Sequence, residues 1–397
     1  NPQLELLLYF ATSRLKVLDQ KHADHFIVQL SVPAQGPLLM STLNPRRDSH
    51  FSYDMHTKGG WEPGSTALLY EIEKYQKVIR KNDKMVLIDV GANLGWFSLI
   101  GAKLGCKVVA LEPVPDHAQR LRESVALNGY ESVMHVKEVI VTTRTRETLQ
   151  INSFAIGPGP TAFVSTSKKE RAYEHFKGNN LHLRMEEESR GAWERLSHAE
   201  QQKWHKYAKK WEEVHDTENI GVTEDSGIII PAASVDLVVD SMVDAHLFNE
   251  EDIGIVKIDC EGCEFDALLS ARKTLLNMQN PPDLLIEVCP ALFRRCRTSL
   301  EDEEEVWELL FKDLHYNVYI YFHERTPPAQ FQKVPFHLTV FSKRTLMLHR
   351  VPKNFRYISM WIREEKNRPE PVCFQIWATR RKEGELLSQS MRDVEEL

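Results

Sequence analysis

The sequence lacks two features that would each point to a particular class of protein. No apolar run reaches the roughly 20 residues of a membrane-spanning helix; the longest runs, at 85–90 and 284–288, are the length of a strand. Basic residues are not in excess either, since 50 lysines and arginines stand against 57 acidic residues and leave a net charge of −7. A surface built to neutralise nucleic-acid phosphates is therefore not expected, and nucleic acid is disfavoured as a partner.

Cysteine is also scarce, with six residues in a chain of 397. So low a count in so long a chain does not indicate a disulfide framework. Cys260 and Cys263 form a lone C-x-x-C pair, and Cys289 with Cys296 does not supply a second pair at zinc-site spacing. Packed or pocket-lining thiols are favoured over a metal or redox role. A cytoplasmic location is favoured over a secretory-pathway lumen, which would require an N-terminal anchor upstream of this chain.

What the chain does contain is an ordinary globular composition, with 42% hydrophobic and 27% charged residues. Strand-sized apolar runs lie at 85–90, 253–258 and 284–288, and segments with apolar residues at helical spacing lie at 66–80 and 115–130. This alternation predicts an α/β fold, with a doubly wound, mostly parallel sheet and helices on both of its faces.

The turn after the first core strand, "DVGANLG" at 89–95, is the strongest candidate for ligand binding. In a doubly wound sheet the ligand lies beyond the carboxyl ends of the strands, where the strand order reverses. Gly91 and Gly95 allow the backbone to approach a ligand closely. Glu112, at the end of the second strand, can accept hydrogen bonds from both hydroxyls of a ribose. We therefore expect a nucleoside-containing cofactor at this turn.

The chemistry of the turn discriminates between two such cofactors. A dinucleotide fingerprint requires G-x-G-x-x-G so that a pyrophosphate can lie against the helix N-terminus, but Asn93 stands in place of the second glycine. S-adenosylmethionine has no phosphate, and Asp89 and Asn93 are suitable partners for its ammonium group. The residues favour S-adenosylmethionine over a nicotinamide cofactor, with a turn that binds nothing as the third interpretation. We expect Asn93→Ala or Gly91→Val to abolish cofactor binding with little loss of fold.

Taken with later motifs, these residues resemble the FkbM-like S-adenosylmethionine-dependent methyltransferase family. The shared motifs are the turn at 89–95, the E-P that begins at Glu112, the K-x-D-x-E-G-x-E at 257–264 and the "GGWE" at 59–62. The resemblance implies a Rossmann-like class I methyltransferase fold with a seven-stranded sheet, and S-adenosylmethionine as cofactor. It also implies cofactor contacts for Glu62, Asp89, Gly91, Asn93, Gly95, Glu112 and Asn128, the last of them near the adenine.

The same resemblance suggests how the chain is organised. We predict an N-terminal extension with strand and helix elements at 1–83, the cofactor-binding half of the core at 84–160, a helical, tryptophan-bearing insertion at 161–227, the second half of the core at 228–345 and a C-terminal extension at 346–397. Trp204, Tyr207 and Trp211 share one helical face of the insertion. Packing of this face on the main body is favoured over a lid that covers the substrate.

Three carboxylates follow the later core strands and are the catalytic candidates: Asp259, Glu261 and Glu287. One of them, desolvated and raised in pKa, could act as general base on a hydroxyl. Alternatively, the three could hold a divalent cation that acidifies the hydroxyl, an option that is not favoured, so we assign no metal ligands. As a third interpretation, they cap the next helix and pair with basic neighbours.

The sequence therefore predicts an S-adenosylmethionine-dependent methyltransferase. The favoured reaction is O-methylation of a hydroxyl on a sugar, glycan or other small polar metabolite, because the resemblance implies varied acceptors of this kind. The alternatives are an RNA methyltransferase, which would need a basic groove, and a cofactor-binding scaffold without turnover.

Overall fold

The computed structural model describes residues 16–22, 25–32, 35–45, 48, 51–144, 149–154, 161–163, 197–198, 201–202, 228–295, 298–321, 348–351, 359, 362 and 373–381. The strands are β1 Lys16–His22, β2 His25–Val32, β3 Gly36–Leu43, β4 Val86–Val90, β5 Lys107–Leu111, β6 Met134–Lys137, β7 Ile140–Val141, β8 Leu149–Phe154, β9 Thr161–Phe163, β10 Ile228–Ile230, β11 Ala232–Ala233, β12 Ile253–Ile258, β13 Asp283–Val288, β14 Asn317–Tyr321, β15 His349–Arg350 and β16 Phe374–Thr379. The helices are α1 Phe51–Thr57, α2 Pro63–Val78, α3 Trp96–Lys103, α4 Pro115–Asn128, α5 Val235–Asp244, α6 Glu264–Leu269, α7 Arg272–Asn277 and α8 Leu300–Glu308.

An eight-stranded sheet forms the core, in the order β15-β14-β16-β13-β12-β4-β5-β6. The five strands from β6 to β13 run parallel, whereas β16 is antiparallel to both β13 and β14. The two-residue β15 is added at the edge beyond the seven predicted strands. The predicted α/β, doubly wound, mostly parallel fold is thus confirmed, and the strand order reverses between β4 and β12.

Helices cover both faces of this sheet because its central strands are buried on both sides. Every residue of β4 and of β12 is buried, as expected for parallel strands read from continuous apolar runs. One apolar cluster packs α5, α6 and α8 against one face. A second cluster packs α2, α3, α4 and the antiparallel sheet β1-β2-β3 against the other. No described helix is long and apolar enough to cross a membrane.

Several predicted elements appear where local signals placed them. The segment "HFIVQLSV" at 25–32, whose composition predicts a strand, is β2. The helical segment predicted at 115–130 is α4, which is followed by Gly129 in the left-handed conformation. A capping box at Ser299 opens α8. The segment "FHLTVFSK" at 336–343, whose alternating apolar residues predict a further strand, lies outside the described residues, as does most of the insertion helix.

The cysteine interpretation was wrong. Cys289 and Cys373 form a disulfide, and Cys263 is disulfide-bonded as well, whereas Cys106 and Cys260 are free thiols. The antiparallel pairing of β13 with β16 brings Cys289 and Cys373 side by side although they are 84 residues apart in the sequence. No spacing rule could reveal this pair, because β16 lies at 374–379, in the stretch that the sequence predicted as an extension beyond the core.

Candidate cofactor and active site

The predicted site residues converge at the carboxyl ends of β4, β12 and β13, where the strand order reverses. Lys257 on β12 lies in register with Asp89 on β4 and with Leu285 on β13. Asp259 follows directly after β12, and Glu287 lies near the end of β13. This edge is where doubly wound sheets bind their ligands.

The two glycines of the turn are required by the protein itself. Gly91 has a φ of +76°, and a Cβ there would lie well under 3.0 Å from the carbonyl oxygen of Asp259. The same strand ends are joined by a hydrogen bond from the Asp259 N–H to the Val90 carbonyl, 2.9 Å long. At Gly95, with a φ of +94°, a Cβ would collide with Leu121. Substitution of Gly91 should therefore damage the fold, contrary to the expectation for Gly91→Val.

The main-chain N–H groups of the turn are largely used within the protein. Gly91 and Ala92 donate to the Leu111 carbonyl at 2.9 and 3.1 Å. Asn93 donates to Oε2 of Glu112 at 2.7 Å, and Gly95 donates to the Ala92 carbonyl at 2.8 Å. These donors are the ones that cradle phosphate oxygens in dinucleotide-binding turns. The turn is thus poorly equipped to bind a pyrophosphate.

Glu112 is buried beneath this turn rather than extended from a strand end into solvent. Its Oε1 accepts from the Val114 N–H at 2.8 Å and its Oε2 from the Asn93 N–H. Burial raises the pKa of Glu112 to about 7, and the two N–H donors oppose this shift. The carboxylate orders the turn, and each of its oxygens keeps a second lone pair for another donor.

Two buried acceptors at the turn have no hydrogen bond within the part of the chain that the structure describes. Oδ2 of Asp89 accepts from the Ser98 hydroxyl at 2.6 Å, but Oδ1 of Asp89 has no such donor. Oδ1 of Asn93, a residue with a φ of +52°, is likewise buried and has no donor among the described residues. Burial without a donor costs free energy. A ligand with several N–H donors, such as an ammonium group, fits these acceptors.

Lys257 is a buried cation between the turn and the acidic residues. Its Nζ lies 3.1 Å from Oδ2 of Asp259, 3.8 Å from Oδ1 of Asp89 and 4.6 Å from the centre of the Phe97 ring. Burial alone would lower the pKa of Lys257, but Asp259, Asp89 and Glu62 together raise it well above its usual value. Lys257 therefore stays protonated and forms ion pairs with both Asp259 and Asp89.

The three catalytic candidates are brought together. Asp259, Glu261 and Glu287 each place a carboxylate oxygen within 4.8 Å of the others. Glu287 accepts a hydrogen bond from Nε2 of Gln375 at 2.7 Å and is hydrogen-bonded to Asp259. Burial raises the pKa of Glu287 well above its usual value, and the charges of Asp259, Glu62 and Glu261 raise it further. The cluster therefore contains a carboxyl group that binds a proton more readily than an ordinary glutamate does.

Glu62 reaches this region from outside the core sheet. It precedes Pro63 at the start of α2, has a φ of +40°, and accepts a hydrogen bond from the Trp61 indole at 2.9 Å. The indole of Trp96 in turn donates to the Thr66 hydroxyl at 2.9 Å, which ties α2 to the start of α3. Glu62 acts electrostatically on both Lys257 and Glu287, so the structure brings it to the other candidates.

Comparison with known proteins identifies the family at this point. The family model described as the methyltransferase FkbM domain matches residues 89–321, more than half of the chain. The chain belongs to the FkbM methyltransferase family. The matched range begins at Asp89 in the cofactor turn and ends at Tyr321, so it contains Lys257 and the three clustered carboxylates.

No curated protein matches this chain, but solved structures do. Similar structures include the precorrin-6y C5,15-methyltransferase from Geobacter metallireducens, at 9% identity over 79% of this chain and 86% of that chain with a TM-score of 0.28. The O-methyltransferase from Bacillus cereus in complex with SAH is 8% identical over 78% and 81%, with a TM-score of 0.30. The plantazolicin methyltransferase BpumL in complex with a monoazolic desmethylPZN analog and SAH is 8% identical over 85% of this chain and 90% of that chain, with a TM-score of 0.32. Family membership rests on the domain match and not on these structures.

Asn128 is placed apart from the other candidates in the FkbM domain. Its Oδ1 accepts from the Leu39 N–H at 3.0 Å, and its Nδ2 donates to the carbonyls of Leu39 and Ser124, each at 2.6 Å. These bonds attach α4 to β3. None of the hydrogen bonds that Asn128 makes within the described ranges reaches another candidate residue.

Sequence reasoning gave no role to two residues that lie beside the candidates in the structure. Lys257 was visible only as a member of the motif, although a lysine inside the apolar run "IGIVKI" was a signal of an unusual environment. Gln375, which contacts Glu287, lies on β16 and carried no local signal. Only the pairing of β16 with β13 brings it to the site.

Proposed function

We propose that this FkbM domain transfers the methyl group of S-adenosylmethionine to a hydroxyl of a sugar, a glycan or another small polar metabolite. One arrangement carries the proposal. The N–H donors of the turn are largely bonded within the protein, whereas two buried acceptors of the turn have no donor among the described residues, and a cluster of carboxylates lies beside them. An acidic environment stabilises the sulfonium and ammonium of S-adenosylmethionine and repels a pyrophosphate. The same features argue against a nicotinamide cofactor and against an RNA backbone.

In this proposal different residues of the site would bind different groups of the cofactor. Asp89 and Asn93 accept from its ammonium through their unsatisfied oxygens, which would remove the cost of leaving those atoms buried without donors. Glu112 accepts from the ribose hydroxyls with the lone pairs that its two N–H donors leave over. Gly91 and Gly95 shape the turn. Glu62 adds negative charge from α2.

Asn128 fits a positioning role in the same proposal. Because its amide is bonded to β3 and to its own helix, it would hold the N-terminal sheet against α4 and not touch the adenine directly.

When bound, S-adenosylmethionine would supply an electrophilic methyl group; as the acceptor oxygen forms the new O–C bond, the methyl–sulfur bond breaks, SAH leaves and the hydroxyl loses its proton. A carboxylate with a raised pKa is a stronger base than an ordinary one. Glu287 has the raised pKa, whereas Asp259 is paired with Lys257. We assign Glu287, in its ionised form, to take the hydroxyl proton. Asp259 orients the pair, and Glu261 positions the acceptor.

Cofactor choice is tested by calorimetry on the full chain with S-adenosylmethionine, SAH and NADH. Asn93→Gly removes the amide but keeps a residue suited to the φ of +52°, and should weaken S-adenosylmethionine binding about tenfold, since a hydrogen bond to a charged group contributes about 1.5–3 kcal/mol. Asn82→Ala, which removes an amide bonded to the Asp252 carbonyl, is the control. Tighter binding of NADH, or an unchanged affinity in Asn93→Gly, would refute the assignment.

Turnover is tested by incubating the chain with methyl-labelled S-adenosylmethionine and a panel of monosaccharides and free glycans. Glu287→Gln should lower the rate about a hundredfold or more, since general-base catalysis contributes about 10²–10⁴-fold, with the cofactor Kd unchanged. Asp240→Asn, which removes an exposed carboxylate paired with Lys273, is the control. If a chelator abolishes activity and Mg²⁺ restores it, the cation role of the cluster replaces the base role. A chain that binds cofactor but labels no hydroxyl would be a scaffold.

A further inference from the structure

The chain must also accommodate the negative end of the cofactor. S-adenosylmethionine carries a carboxylate next to its ammonium, and the proposed site is lined by Glu62, Asp89, Glu112 and Asp259. An unpaired carboxylate placed among these groups would be repelled and would lose its hydration. A partner that donates hydrogen bonds is therefore required within a few ångströms of the group that binds the ammonium.

The main chain of the turn offers little for this purpose. The N–H groups of Gly91, Ala92, Asn93 and Gly95 donate to acceptors of the protein itself. A carboxylate could use them only by displacing Leu111, Glu112 or Ala92 from its hydrogen bond. This leaves the N–H of Leu94 and the first N–H groups of α3 as the competing main-chain donors.

Lys257 has the donors that the turn lacks. Its ammonium carries three N–H bonds, and one is used in the 3.1 Å hydrogen bond to Oδ2 of Asp259. The 3.8 Å separation from Oδ1 of Asp89 is an ion pair but is too long for a hydrogen bond. Oδ1 of Asp89 is itself buried without a donor. A cation with unused donors thus lies beside an anion with an unused acceptor.

We propose that Lys257 binds the carboxylate of the methionine part of S-adenosylmethionine while Asp89 binds its ammonium. The inference rests on the proposed function, because it assigns a further contact to the same cofactor. An amino-acid group carries both charges on adjacent atoms, so it complements a lysine and an aspartate that lie 3.8 Å apart. Asp259 fixes Lys257 in place from the other side.

The test compares S-adenosylmethionine with decarboxylated S-adenosylmethionine, which keeps the sulfonium, the amine and the nucleoside. Calorimetry on the full chain gives the ratio of the two Kd values for the wild type, Lys257→Met and Lys257→Gln. Because both ligands are measured on the same protein, the ratio does not depend on the folded fraction. Lys107→Met is the matched control, since Lys107 is a lysine at the start of β5 that donates to the Leu247 carbonyl.

We expect the wild type and Lys107→Met to prefer S-adenosylmethionine about tenfold or more, the effect of a charge-assisted hydrogen bond. In Lys257→Met the preference should fall to about one. If Lys257→Met does not fold, Lys257→Gln is measured in its place and should give the same result. A wild-type ratio near one, or a preference that survives in the variants, overturns the assignment; the second result would give the carboxylate to the main-chain N–H groups of Leu94 and α3. If the wild type binds neither ligand, the proposed function itself fails.

Discussion

Replacing Gly91 by alanine tests how closely the ends of β4 and β12 approach each other. The added Cβ would lie well under 3.0 Å from the Asp259 carbonyl oxygen, and that atom is main chain, so no side-chain rotation can relieve the collision. The two strand ends would have to separate by about 1 Å or more. This movement would stretch the hydrogen bond between the Asp259 N–H and the Val90 carbonyl, and would pull Asp89 away from Lys257.

The expected cost combines three terms. A left-handed alanine costs about 1–2 kcal/mol relative to glycine, overpacking a rigid site costs about 1–3 kcal/mol, and a weakened buried hydrogen bond costs about 0.5–1.5 kcal/mol. The free energy of unfolding should therefore fall by about 2.5–6.5 kcal/mol. That is a large part of the about 5–15 kcal/mol by which typical proteins are stable.

Gly129→Ala is the matched control for this prediction. Gly129 has a φ of +68°, close to the +76° of Gly91, but a Cβ there meets nothing within 4 Å. Its substitution should cost only the conformational term, about 1–2 kcal/mol. Urea unfolding followed by tryptophan fluorescence gives both values. If the two variants lose the same stability, the close contact between the turn and Asp259 does not exist, and the proposed site geometry is refuted.

Two further predictions concern a buried acid and the disulfide. Burial raises the pKa of Glu264 from 4.5 to about 8, so the folded state holds this proton more tightly than the unfolded state does. The wild type should therefore lose stability relative to Glu264→Gln as pH rises from about 4.5 to about 8. Tm curves of the two proteins that stay parallel across this range would contradict the shift. Cys373→Ser should lower the free energy of unfolding by about 2–5 kcal/mol in oxidising buffer, and a reducing agent should remove the difference; equal stability in oxidising buffer would argue against the Cys289–Cys373 bond.

Features governed by neighbours in the sequence could be predicted correctly. The helix α4 begins at Pro115 and stops at Gly129 because proline suits the first helical turn and glycine suits the left-handed residue that ends a helix. The buried strands β4 and β12 were visible as apolar runs of strand length. Such local signals, combined with the alternation of strands and helices, were sufficient for the fold class, and the family was indicated by the resemblance of the motifs at 59–62, 89–95 and 257–264.

Features that depend on residues far apart in the sequence could not be predicted from it. The turn glycines were expected to admit a ligand, yet Gly91 is required because the Asp259 carbonyl, from another strand, lies against it. Gln375 and Cys373 approach Glu287 and Cys289 only because β16 pairs with β13. Nothing near 374–379 in the sequence indicates which strand it would join.

The amino-acid sequence by itself determined which segments are strands and helices, where the strand-to-helix turn with its asparagine lies, and which carboxylates end the core strands. The tertiary structure decided which of these groups meet: the lysine on β12 with the aspartate on β4, the glutamate on β13 with the glutamine on β16, and the paired cysteines beside them. The physical reason is that hydrogen bonding and burial between strands act over a few ångströms in space, whatever the separation along the chain. Register between strands, and not local preference, therefore sets the charges and donors that the site contains.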